Sequence, residues 1–219
     1  MLFRSEIDGA IADLGRALGL LKKIAFTDTE DRDLKVDILI RQGYLVELMI
    51  QNGDYAQAQQ LAEEVSAAWQ DLIGISSEDM RTSLVFVQHL INLTRLSALA
   101  EDKEAALREL NDIQVHLAAS RNNMTFSRKA GNMLVEAAFY RWEMSGELPD
   151  ESIRSSFPDY DLGRGWARAC MDAGSAVRMA VMLEQPAKAE AFADYLLDSG
   201  YQQADFMRIC KKYDLCAGQ

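Results

Sequence analysis

Apolar residues recur along most of this chain at i, i+4 and i+7, with charged and polar residues between them. That spacing draws one buried stripe down an α-helix. Ala10, Leu14 and Ala17, then Ala58, Ala62 and Val65, then Ala106, Leu110 and Ile113 repeat the stripe 48 positions apart (58−10 and 106−58). A helical stripe returning at a fixed interval marks stacked units, each burying its apolar face on its neighbours. The pattern predicts an all-α chain, a right-handed superhelix (α-solenoid) of antiparallel helical hairpins.

The breaks between stripes set the elements. A first, unpaired helix is expected over 6–25, with Ala10, Ile11, Leu14, Ala17, Leu18 and Leu21 on its buried side. Hairpins follow over 31–72, 78–120, 123–160 and 163–199, with a capping helix over 203–214, all within one repeat domain spanning 1–219. The polar run from Thr27 to Asp31 supplies capping side chains, Asn52-Gly53 stops a helix, and Asp54 stands where it can cap the next. Ser76 and Asp79 resemble a capping box with aspartate at its last position. From Gly146 to Gly165 the chain carries Pro149, Pro158 and three glycines, which disturbs the repeat and leaves a truncated helix over 150–155. Pro186 suits the first turn of the following helix.

Bulk composition narrows the function classes. The 219 residues are 49% hydrophobic and 26% charged, with only three prolines. That length buries roughly 70% of the unfolded surface without metals or disulfides. The net charge of −11 repels nucleic-acid phosphates and anionic membranes. The pairs Lys22-Lys23 and Lys211-Lys212 read as solvated helix ends. No run approaches the apolar length of a membrane span, and residues 1–7 lack the apolar core of a secretory signal. Cys170, Cys210 and Cys216 are odd in number and form no CxxC pair, which suits a reducing, cytoplasmic setting. Cys170 reads as a small core residue, and a Cys210–Cys216 bridge stays open.

Gly53-Asp54-Tyr55-Ala56-Gln57-Ala58 resembles the turn of a tetratricopeptide (TPR) repeat. There glycine ends the first helix, and a small residue five positions on lets the second pack closely. Glu101 to Ala106 and Glu184 to Ala189 are the equivalents. Two departures stand out. Val46, Thr94 and Val177 occupy the place of a glycine or alanine seven before the turn, and the interval exceeds the usual repeat of about 34. The closing segment, Tyr195 to Tyr201 and Phe206 to Cys210, is similar to the ends of some TPR-bearing bacterial signalling proteins, protein kinases among them. The resemblance implies a cytoplasmic module attached to a signalling or regulatory domain. Kinase loops and their catalytic aspartate motif are absent, so no kinase activity carries over. Leu2-Phe3-Arg4-Ser5 also matches the translated end of a common sequencing adapter, and the first helix corresponds to the second helix of a hairpin. Both point to an amino-truncated piece of a longer protein, against the alternative of a short native tail.

Candidate chemistry is thin. His89 and His116 have no metal-helix partners, and HExxH, GxSxG, P-loop and dinucleotide motifs are missing. Gly163-Arg164-Gly165 reads as a linker. Met171, Met179 and Met182 with Trp166 read as core, and of Tyr140 and Trp142 at most one is expected to be fully buried. No enzyme activity, cofactor or metal is expected. In TPR-like stacks the first helix of each hairpin lines the concave groove. Alignment on the turns puts Glu47, Gln51, Gln88, Arg95, Glu136, Tyr140 and Arg178 there, a mixed-sign set suited to a polar peptide or partner helix. Gly43 and Glu47 stand where chaperone-binding TPR domains carry their carboxylate clamp, which argues against recognition of a chaperone tail. The expected function is protein–protein interaction without a chemical step. Two alternatives are a ligand-sensing array that controls an upstream kinase or transcription domain, and a structural dimerisation unit.

Overall fold

The computed structural model describes residues 2–27, 31–73, 80–120, 128–151, 154, 166–201 and 204–216. Among them every regular element is a helix: α1 (Leu2–Thr27), α2 (Arg32–Asn52), α3 (Tyr55–Ile73), α4 (Met80–Leu99), α5 (Lys103–Ser120), α6 (Arg128–Ser145), α7 (Trp166–Met182), α8 (Pro186–Asp198) and α9 (Ala204–Lys212). Glu151 and Arg154 form an ion pair at 3.0 Å, and Arg154 N–H bonds Asp150 C=O at 3.0 Å, at the place of the expected truncated helix. The expected capping box at Ser76–Asp79 and the linker at Gly163–Gly165 lie outside the described residues, as do the side chains of Trp166, Cys170 and Met171. Among the described residues no helix is long and apolar enough to cross a membrane. The chain divides into two compact units, Met1–Met124 and Thr125–Gln219.

The three aligned turns adopt one conformation. Gly53, Glu101 and Glu184 all lie in the left-handed region, with φ of 89°, 60° and 53°. In each, the residue after the turn returns a hydrogen bond into the last helical turn: Asp54 N–H to Met49 C=O, Asp102 N–H to Ser97 C=O, Gln185 N–H to Ala180 C=O, each at 2.9 Å. This closure satisfies carbonyls that the helix end leaves open. Five positions beyond each turn residue, Ala58, Ala106 and Ala189 are buried, and seven before it Val46, Thr94 and Val177 are buried too. The β-branched residues therefore fit the sites that the TPR pattern gives to glycine or alanine. Thr94 can sit there because its hydroxyl donates to Leu90 C=O at 2.9 Å.

In the first unit α2 packs against α1, α3 and α4, and α4 packs against α2, α3 and α5. Val46, Ile50, Ala58, Ala62 and Leu96 make one core cluster; Val36, Leu39, Val65, Trp69 and Leu72 make another. Asp31 caps α2 by accepting from Leu34 N–H at 2.9 Å, and Asp102 caps α5 by accepting from Ala105 N–H at 3.0 Å. Asp54 acts differently, accepting from the Asn52 side chain at 2.7 Å.

Ala10 corrects the opening expectation, because it is exposed. In α3 the matching Ala58 packs with Val46 and Ile50 of α2, and in α5 the matching Ala106 is buried. α1 instead lies on α2 through Ile11, Leu14, Leu18, Leu21 and Ala25, a seam offset from Ala10.

In the second unit α7 packs against α6 and α8. Their shared core takes in Phe139, Val177, Met179, Met182, Ala189, Phe192 and Leu196, with Phe206, Ile209 and Cys210 of α9. Met179 and Met182 are core, as the sequence suggests, and Tyr140 is buried while Trp142 is half-buried. Cys210 and Cys216 are joined by a disulfide, closing the open alternative.

Candidate functional site

The seven residues expected to line a groove fall into two groups. In the first unit Glu47 of α2 faces Arg95 of α4, Oε1 to Nη1 at 3.6 Å. The same nitrogen donates to Asn92 Oδ1 at 3.2 Å, and Asn92 Nδ2 donates to Gly43 C=O at 3.1 Å. Gln51 and Gln88 are half-buried. In the second unit Arg178 of α7 meets Glu136 of α6 at 3.9 Å and Asp205 of α9 at 2.6 Å; the Arg178 and Glu136 side chains are each 12% exposed. Tyr140 lies in the core with the Arg208 guanidinium 5.8 Å from its ring centroid. These charged groups serve chiefly as links between helices.

Sequence reasoning missed the strongest of these links. Glu143 of α6 accepts two hydrogen bonds from Arg208, at 3.2 and 3.0 Å, one from Lys212 at 2.9 Å and one from the Tyr213 hydroxyl at 2.8 Å. Burial alone would raise the Glu143 carboxyl, but these donors outweigh it and hold it below the usual carboxylate range. Burial and the bond to Glu143 push the Tyr213 hydroxyl up. For Arg208, Asp205 and Glu143 overcome the burial penalty and keep the guanidinium charged. A partner 65 positions away leaves no local signal in the sequence.

A groove of about 570 Å³ opens elsewhere in the first unit. Tyr55, Gln59, Glu63 and Ser66 of α3, Leu93, Leu96 and Ser97 of α4, and Asp102, Ala105, Arg108 and Glu109 at the start of α5 form its walls. Small side chains at Ala56, Ala100 and Ala105 leave the space. None of the seven expected residues lines it.

Glu109 is the unusual group in this wall. Its Oε1 accepts from the Ser97 hydroxyl at 3.2 Å, while Oε2 is buried without a hydrogen-bond partner among the described residues. Burial raises its carboxyl from 4.5 to about 7; the Ser97 bond and the Arg108 charge pull the other way, and Asp102 and Asp112 add to the rise. Arg108 is drawn to Glu104 at 3.2 Å, and Glu63 accepts from Gln59 at 2.8 Å.

Ser66 of the groove wall and the buried His89 sit 2.8 Å apart, Oγ to Nε2. The Ser66 hydroxyl donates to Ala62 C=O at 2.9 Å, so His89 Nε2–H is the donor to Ser66. A nucleophilic serine needs the reverse, its own proton passing to the imidazole. Burial lowers His89 to about 4, which keeps the ring neutral. The pair ties α3 to α4. His116 rests with its ring edge-on to Phe86, centroids 4.7 Å apart. Among the described residues no three His, Cys, Asp or Glu side chains gather into a metal-ligating group. Set against known protein families, curated proteins and solved structures, the chain matches none.

Proposed function

We propose that the chain is a protein-interaction module, a superhelical array of TPR-like hairpins that binds a segment of a partner protein without a chemical step. The observation that carries this reading is the open groove between α3, α4 and α5, with leucines in its wall and polar groups around them. The recurring turn supports it, because a unit built three times on one plan is how such arrays present binding surfaces. The groove is a better seat than the face expected from the sequence. There Glu47 answers Arg95 and Glu136 answers Arg178, so a ligand would have to compete with bonds already made.

Photocrosslinking in cells tests the reading. A photoreactive residue at Gln59 or Leu99 is expected to give a discrete adduct with a partner. One at Val115, exposed on α5 away from the groove, should give none. Adducts from Gln88 alone would move the binding site to the other face, and no adduct from any position would remove the interaction role.

A second reading, self-association, is favoured by one observation. Leu20, Ile24 and Phe26 of α1 are 62%, 56% and 86% exposed. Light scattering should then give a dimer mass that falls to the monomer in a Leu20→Lys, Ile24→Lys double variant.

A further inference from the structure

The groove between α3, α4 and α5 carries more negative than positive charge on its described walls. Among the described residues of the walls Glu63, Asp102 and Glu109 bring three carboxylates and Arg108 one cation, which is turned to Glu104. Glu63 and Asp102 already accept from Gln59 and from Ala105 N–H. Glu109 lines the groove, and its Oε2 is closed to water and without a partner among the described residues, so a turn of the side chain is what would bring it to a ligand. A buried carboxylate oxygen in that state is costly, and the cost falls when a donor of opposite charge arrives. Leu93 and Leu96 lie in the same wall and offer a surface for an aliphatic stem.

We propose that the groove between α3, α4 and α5 takes a cationic side chain, arginine or lysine, carried by a partner segment, with Glu109 as its anchor and the leucines against its stem. The proposal rests on the interaction-module reading and adds the ligand class to it. Apolar stem and cationic head together match a basic side chain better than a metal ion, which would want more carboxylates than one free oxygen provides. The chain's net charge of −11 adds long-range attraction for a basic segment. An incoming cation would favour the ionised form of Glu109, so the preference for a cationic side chain should strengthen as pH rises through about 7.

The test uses the full chain and two fluorescent peptides of alternating residues. One pairs arginine with leucine; the other replaces arginine by uncharged, isosteric citrulline. Fluorescence anisotropy should show the arginine peptide binding about tenfold more tightly, the scale of one charge-assisted hydrogen bond. Glu109→Gln should bring the two peptides to within about twofold. Glu190→Gln, which removes the same charge from the exposed surface of α8, should keep the full difference. Circular dichroism of each variant checks that it is folded. Equal losses in both variants would reduce the preference to net charge and overturn the proposal, as would no binding of either peptide. Equal binding of the two peptides, with crosslinks persisting from Gln59, would overturn the cationic preference and leave the interaction module standing.

Discussion

Glu101 and Glu184 hold a backbone conformation that costs a side-chain-bearing residue about 1–2 kcal/mol, and Gly53 meets the same demand without that cost. Glu101→Gly is therefore expected to stabilise the chain by about 0.5–1 kcal/mol after the greater freedom of unfolded glycine is counted, and Gly53→Glu to destabilise it comparably. Urea unfolding reads both. The buried alanines make a complementary pair with the exposed one: Ala58→Leu or Ala106→Leu should cost about 1–3 kcal/mol by overpacking, whereas Ala10→Leu should cost nothing measurable. Glu109 carries a pH signature. Its carboxyl titrates near 7 when folded and near 4.5 otherwise, so the fold loses stability as pH rises between those values. Glu109→Gln should leave stability near pH 4 unchanged and raise it by about 1–2 kcal/mol near pH 8, a figure reduced for the group's partial exposure. His89 works in the opposite sense. Its folded value of about 4 lies below the ordinary 6.5, so stability is lost as pH falls across that interval.

At the scale of elements, helix positions were legible because period, caps and breakers agree along the chain. The expected hairpin over 31–72 matches α2 and α3 to within a residue at each end, and the expected first helix over 6–25 falls inside α1. The turn at Glu184 was found through Ala189 alone, since glutamate advertises no left-handed backbone. What holds α9 to its neighbours was not legible. Glu143, Arg178, Asp205 and Arg208 form one ion-paired chain across α6, α7 and α9; in sequence Arg178 reads as a groove residue and the other three as ordinary surface charges. Arg208 is the central link, and removing it takes two charge-assisted hydrogen bonds from the buried Glu143 carboxylate, which keeps only Lys212 and Tyr213. Arg208→Ala should cost about 2–3 kcal/mol, seen as a lower melting temperature and as faster amide exchange in Ala204–Lys212.

At the scale of the whole molecule, the 48-residue interval predicted stacked hairpins because each stripe needs a neighbour to cover it. It could not foretell that the chain divides near Met124 into two compact units, because that depends on where long-range packing lapses. The groove was hidden for a related reason. Its walls come from three helices, and small residues such as Ala56 and Ala105 carry no signal of the space they leave. The assignment of the expected groove face failed to anticipate how fully its charges answer one another, since a sequence lists charges without their partners. A partner segment would rest either in the groove between α3, α4 and α5 or on the Glu47 and Gln88 side. Hydrogen–deuterium exchange on the full chain, with and without saturating arginine–leucine peptide, asks this directly. Slowed exchange at Tyr55–Ser66 and Leu93–Glu109 is the predicted result; slowing confined to the Glu47 and Gln88 side, or none at all, would contradict it.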